Sequence, residues 1–215
     1  MENISESEQN IMQNRMQKQF IIAICGLKRS GKDTVANYLA TKIPNVIHCK
    51  IAQPLKDMCE NLFNFTASQM ETDDKDVIDT KWGITPRDAL KFVGTEMMQY
   101  KIQELLPDIG RSFWVKQLVD KIKKNQSNEE NKTVIISDLR FIHEYDMIKR
   151  EFKDSQVVIV KIQKNEKLQP NQPNKTNHCS ELEWQLIKHN ILLDNNGTIQ
   201  DLYKQIDAAN IDAMT

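Results

Sequence analysis

The sequence predicts an α/β fold, a three-layer α/β/α sandwich built on a mostly parallel sheet of about five strands. Three observations predict it. Short runs that are apolar nearly throughout recur along the chain, as strands covered on both faces require. Amphipathic helical stretches separate these runs, so that successive strands are joined by βαβ crossovers. A glycine-containing loop links the first strand-like run to the first helical one.

Taken in order, residues 1–18 are polar, hold no sustained apolar periodicity and read as a flexible tail ahead of one domain over 19–210. The strand-like runs are "FIIAIC" (20–25), "VIHCKI" (46–51), "TVIISD" (133–138), "VVIVKI" (157–162) and "ILLD" (191–194). "DTVANYLATKI", "RDALKFVGTEMMQYKIQELL" and "FWVKQLVDKIKK" carry the helical spacing. Residues 63–85 are acidic and irregular and read as an insertion on the acceptor side of a cleft. Residues 163–179 are polar with two prolines, either a lid-like loop or a plain solvated connection. No internal repeat is visible.

Composition narrows the function classes. The 215 residues are 40% hydrophobic and 27% charged, ordinary for a soluble globular chain. With 29 basic against 30 acidic residues, nothing favours broad attraction to nucleic acid or to an anionic membrane. No run approaches the ~20 apolar residues that span a bilayer, and the N-terminus has no signal-peptide core. Cys25, Cys49, Cys59 and Cys179 form no paired framework and read as reduced thiols, which places the chain in the cytoplasm. Richness in Asn, Lys and Ile points to an AT-rich genome, a viral one included.

The chemistry gathers in "GLKRSGKDT", Gly26 to Thr34. The spacing Gly26-xxxx-Gly31-Lys32 fits the phosphate loop of a P-loop NTPase-type fold, and the run lies between a strand and an amphipathic helix as that loop requires. Glycines permit the tight path, backbone N–H groups through Ser30 converge on an anion, and the following helix adds its positive end. Lys32 is expected to touch solvent and the terminal phosphates of ATP rather than the core. Asp33 stands where a hydroxyl residue usually follows the lysine. It is either a favourable helix-start residue or, with Thr34, a contact to Mg²⁺, which accepts carboxylate oxygens readily. Lys28 and Arg29 are either solvent-facing loop charges or cations that bridge donor and acceptor phosphates during transfer.

These residues resemble the bacteriophage-type deoxynucleoside monophosphate kinases, which carry the same KRSGKDT core. The likeness continues in order through "KIAQPLKDM" (50–58), "PRDALKFVGTEMM" (86–98), "RSFWVKQL" (111–118), "VIISDLRFIHEYDMI" (134–148) and "NNGTIQDLYKQI" (195–206). The resemblance implies transfer of the γ-phosphate of ATP to a deoxynucleoside monophosphate with Mg²⁺, in a protein that is often a homodimer. Animal phosphomevalonate kinases share the SGKD loop and a Pro-Leu-Lys step and form the alternative, and a nucleotide-binding module without kinase activity is a third reading.

The remaining candidates follow from position. Asp138, closing an apolar strand, and Arg140, two residues on, belong at the strands' carboxyl ends, where open α/β sheets bind ligand; the plain alternative is a salt-bridged turn. Lys56, Arg87 and Arg111 are candidates to clamp the acceptor's 5′-phosphate. Glu96 and Glu181 are candidates for polar contact with the acceptor. Trp114 either stacks on a base or packs in the core. Ser180 with Glu183 reads as a capping box, and Asn195-Asn196 as an approach to the donor base.

Overall fold

The computed structural model describes residues 19–126, 133–165 and 182–214. Five strands form one sheet: β1 (Phe20–Gly26), β2 (Val46–Cys49), β3 (Thr133–Leu139), β4 (Gln156–Gln163) and β5 (Ile191–Asp194). Every pairing is parallel and the order is β2-β3-β1-β4-β5. The helices are α1 (Lys32–Lys42), α2 (Gln53–Phe63), α3 (Ala67–Glu71), α4 (Pro86–Lys91), α5 (Phe113–Gln126), α6 (Ile142–Glu151) and α7 (Ile199–Ala209). The described residues gather into two compact units, one running to Cys49 and resuming at Lys121, the other Lys50–Asp120.

The first unit holds the sheet. β1 is buried at every position, as a central strand with neighbours on both sides must be. Because side chains alternate across a sheet, Phe20, Ile22 and Ile24 of β1 share a face with Val158, Val160 and Ile162 of β4. That face is covered by Val35, Ala36 and Leu39 of α1 and by Leu202 and Ile206 of α7. The two helices are joined at the rim by Tyr38 and Tyr203, stacked with centroids 3.9 Å apart, and by a Lys42–Asp207 ion pair at 3.2 Å.

The strand order fixes where a ligand belongs. From β1 the chain crosses to β2 on one side, whereas from β3 it crosses over β1 to β4 on the other. Right-handed crossovers then put α1 and α6 on opposite faces and make the carboxyl ends of β1 and β3 the switch point of the sheet. The β1 loop and the β3 turn emerge there side by side.

β3 is irregular at that end. Ala23 pairs with Ile136 but Cys25 pairs with Leu139, so Ser137 and Asp138 together oppose a single residue of β1. Such a bulge re-aims side chains and is concentrated beside active sites.

The second unit is helical. The stretch expected as one long helix from Arg87 divides: α4 ends at Lys91, Phe92–Tyr100 is wound in wider π-type turns, and Lys101–Glu104 tightens to a 3₁₀ turn. Gly94 sits inside the wide turns, where a Cβ would lie 2.5 Å from Leu55 Cδ2 of α2, so its missing side chain is what lets α2 approach. Residues 63–85, expected to be irregular, contain α3, opened by a reciprocal cap in which the Thr66 hydroxyl accepts from Gln69 N and the Gln69 side chain accepts from Thr66 N. The second strand run stops at Cys49 rather than Ile51, because the chain turns there into Pro54 at the start of α2. The expected tail at 1–18, the lid-like loop beyond Asn165, and Cys179, Ser180 and Glu181 lie outside the described residues.

Candidate active site

The loop between β1 and α1 has the backbone of an anion nest. Gly26 (φ 154°) and Gly31 (φ 97°) adopt positive φ, and Arg29 does so as well at 61°. Alternating hand along the loop turns successive N–H groups toward one centre. Gly26 is also required sterically, against backbone, whereas Gly31 faces the end of a side chain. A Cβ at Gly26 would lie 2.8 Å from the Ile162 carbonyl and 2.7 Å from Ser30 Oγ, and one at Gly31 would lie 2.6 Å from Asn195 Nδ2. Ser30 Oγ is fully buried with no hydrogen-bond partner among the described residues, a polar atom in want of an acceptor or donor beside the nest.

Lys32 corrects the sequence-based expectation. Its side chain is buried, and Nζ donates to the Gly26 carbonyl at 2.9 Å and to the Leu27 carbonyl at 2.6 Å. The ammonium therefore braces the loop that presents it, and it neutralises carbonyl dipoles that would otherwise repel phosphate. Asn195, beyond β5, donates from Nδ2 to the Ser30 carbonyl at 2.8 Å and ties the loop from its other side. This support of the loop is a role that the sequence did not suggest. Lys28 is half-buried and Arg29 exposed at the loop's tip, where Lys164 Nζ meets the Arg29 carbonyl at 3.5 Å.

Asp33 is exposed at the first turn of α1, beside half-buried Thr34, and its Oδ1 accepts from the Ser137 hydroxyl at 3.1 Å. On the other side of that hydroxyl His48 Nε2 lies at 2.8 Å. The donor set fits Mg²⁺, which binds through one or two carboxylates plus phosphate oxygens and keeps several waters. Among the described residues no group of three or more His, Cys, Asp or Glu side chains is placed to hold a metal ion.

The β3 turn carries Asp138 and Arg140, both half-buried. The turn is held from below by Glu144 of α6, whose Oε2 accepts from the Arg140 N–H at 2.9 Å and the Phe141 N–H at 3.0 Å. Burial raises the Glu144 carboxyl to about 8, and nearby Asp138 adds to the rise. The two backbone N–H bonds and the Arg140 charge act the other way without reversing it.

The three candidate cations of the second unit are partnered. Lys56 reaches Glu71 at 2.8 Å, and Arg87 is bidentate to Asp76, with Nη2 to Oδ2 at 2.9 Å. Arg111 Nε donates to Oε1 of buried Gln99 at 3.1 Å and lies over the Tyr100 ring at 5.7 Å. Glu96 is exposed on the wide turns. Trp114 settles on packing: it is 7% exposed, meets Phe113 edge to face, and donates Nε1–H to the Gly94 carbonyl at 2.9 Å, which corrects the stacking expectation. Sequence reasoning missed Ser137, His48 and Glu144. Phe141 has no side-chain acceptor to mark a capping box with Glu144, and the other two meet across 89 and 104 residues, so no local signal pointed to them.

A parallel α/β sheet whose switch point carries a phosphate loop, beside a turn bearing an aspartate and an arginine, defines a P-loop kinase of nucleotides, an ATP-dependent phosphotransferase. The family model for deoxynucleotide monophosphate kinase matches residues 20–84 and 78–206, and the chain belongs to that family. A protein of Acanthamoeba polyphaga mimivirus, provisionally named deoxynucleotide monophosphate kinase, is 31% identical over 190 residues, covering 86% of this chain and 93% of its own. Among solved structures, the Deinococcus radiodurans tunicamycin resistance protein is 13% identical at a TM-score of 0.48, over 90% of this chain and 96% of that one. Candida albicans thymidylate kinase is 13% identical at 0.46, over 92% and 93%. At these scores neither structural likeness bears on the substrate. Among the described residues no helix is long and apolar enough to cross a membrane.

Proposed function

We propose that this kinase transfers the γ-phosphate of ATP to a deoxynucleoside 5′-monophosphate, giving the diphosphate for DNA precursor synthesis, with Mg²⁺ bound alongside the nucleotide. The observation that carries the reading is family membership across nearly the whole described chain, joined to a loop already wound as a nest. In this reading the N–H groups of Gly26–Thr34 and the Lys32 ammonium hold the donor phosphates. Asp33 and Thr34 contact Mg²⁺, which supplies positive charge against the oxygens of the transferring group. Arg29 and Lys28, with Arg140 steadied by the Glu144 turn, take up the negative charge that crowds as transfer proceeds. Lys56, Arg87 and Arg111 bind the acceptor's phosphate, and Glu96 its sugar or base. Acceptor phosphate then competes with Glu71 and Asp76 for Lys56 and Arg87. The buried thiols Cys25 and Cys59, each raised to about 11 by burial, suit a reducing compartment such as the cytoplasm.

ADP release measured with a panel of deoxynucleoside monophosphates, phosphomevalonate and single-stranded DNA tests the reading. Turnover is expected with one or more of the monophosphates. Turnover with phosphomevalonate alone, or with none of the panel, overturns it. Arg29→Ala is expected to lower kcat by about tenfold to a thousandfold while ATP binding changes little, as for a group acting mainly on the transition state. Equal losses in both would make it a ground-state contact.

A further inference from the structure

Ser137 is 1% exposed and sits in the β3 bulge, one residue before Asp138. Its hydroxyl carries a single hydrogen, and that hydrogen is directed to Asp33 Oδ1 at 3.1 Å. The contact with His48 Nε2 at 2.8 Å must then run the other way, with the imidazole donating and Ser137 accepting. The tautomer of His48 follows from this count: the proton is on Nε2. The three groups form one directed chain, imidazole N–H to hydroxyl to carboxylate, from β2 through β3 to the first turn of α1.

In P-loop nucleotide enzymes the metal is generally held by a hydroxyl from the residue after the loop lysine and a carboxylate on a neighbouring strand. Here the loop position after Lys32 holds a carboxylate instead, Asp33, and the neighbouring strand carries a hydroxyl, Ser137, beside the carboxylate of Asp138. The bulge explains how the two meet: an extra residue between Ile136 and Leu139 aims Ser137 at Asp33 of α1, while Asp138 is close enough to the Cys49 thiol and the Glu144 carboxyl to raise both.

We infer that Ser137 and His48 are positioning residues for the metal–nucleotide complex: His48 fixes the rotation of the Ser137 hydroxyl, and Ser137 fixes the carboxylate of Asp33. The inference rests on the reading of Asp33 as a Mg²⁺ contact. Neither residue touches substrate. Their effect belongs to metal affinity, since groups that orient a metal ligand typically govern it by about ten- to a hundredfold.

Mn²⁺ as the probe, with ADP and the full chain, makes this measurable by the resonance signal of free Mn²⁺. Ser137→Ala and His48→Leu are expected to weaken Mn²⁺ in the enzyme–ADP complex about tenfold. Binding of ADP without metal is expected to stay at the wild-type level. His48→Gln, whose amide N–H can still donate to Ser137, is expected to recover most of the loss. Wild-type Mn²⁺ affinity in both Ser137→Ala and His48→Leu, with affinity lost in Asp33→Asn, overturns the inference and leaves the role of Asp33 standing. Wild-type affinity in Asp33→Asn overturns the reading beneath it as well. Parallel loss of metal-free ADP binding in Ser137→Ala and His48→Leu would make these side chains supports of the loop fold alone, and the inference would fall.

Discussion

Replacing Lys32 with alanine removes two things at once, the charge proposed to meet the donor phosphates and a brace on the loop. The second follows from the structure, because the ammonium satisfies the Gly26 and Leu27 carbonyls from a buried position. Phosphoryl transfer in Lys32→Ala is expected to fall by at least about a hundredfold, as for loss of a charge that stabilises the transition state. Leaving buried carbonyls without a donor costs about 1–3 kcal/mol, so the melting temperature is expected to fall by several degrees. Unchanged turnover in a folded variant would remove the lysine from the mechanism. Glu144 gives a prediction with a sign. Its carboxyl is raised from 4.5 to about 8 in the folded protein, so the folded state binds a proton that the unfolded chain has released across that window. Stability from this group is present in acid and is lost as pH rises toward 8. Glu144→Gln cannot ionise, so its melting temperature relative to wild type is expected to rise between about pH 5 and about pH 9. A difference that stays flat with pH would mean that Glu144 is ionised in the fold. Lys32 and Asp33 were legible in the sequence because a loop motif fixes them by spacing. Ser137, His48 and Glu144 were not, since their roles arise from strand pairing and burial that bring distant residues together.

At the scale of elements, strands announced themselves and helices of unusual winding did not. β1, β3 and β4 are apolar nearly throughout because helices or neighbouring strands cover them, and that pattern survives in the sequence. The π-type turns at Phe92–Tyr100 keep helical spacing well enough to read as ordinary helix; what sets them apart is Gly94 against Leu55, a packing fact. The bulge in β3 is equally silent, since an added residue between Ile136 and Leu139 leaves the run apolar on both sides. Gly94→Ala tests the packing. The new methyl meets Leu55 Cδ2, the end of a buried side chain, so overpacking of about 1–3 kcal/mol is expected, offset by about 1 kcal/mol of helix propensity. Net loss of stability in chemical denaturation is expected, and Leu55→Val in the same chain should recover part of it. Additive effects of the two changes would show that the residues do not share the space assigned to them.

Across the whole molecule, cohesion is unevenly spread. In the first unit β1 has no exposed residue, and the core formed by β1, β4, α1 and α7 is closed. The second unit, Lys50–Asp120, leaves large apolar side chains in solvent, among them Leu62 at 63%, Ile78 at 63% and Leu105 at 76%, and much of its backbone lies in short, π-type or 3₁₀ turns. Local opening follows such differences in burial, so amide exchange should be graded along the chain. Amides of β1, β3 and β4 are expected to exchange last, near the rate set by global unfolding, and those of α3 and the 92–104 turns well before them. ATP analogue with Mg²⁺ is expected to slow exchange in Gly26–Thr34 first, because a ligand bound only to the folded loop suppresses its opening by mass action. Monophosphate alone is expected to slow exchange around Lys56 and Arg87 instead, if acceptor phosphate replaces Glu71 and Asp76 as their counter-charge. Protection by monophosphate confined to the Gly26–Thr34 loop would mean that the second unit's cations serve only its own fold, and the acceptor role given to Lys56 and Arg87 would have to be withdrawn.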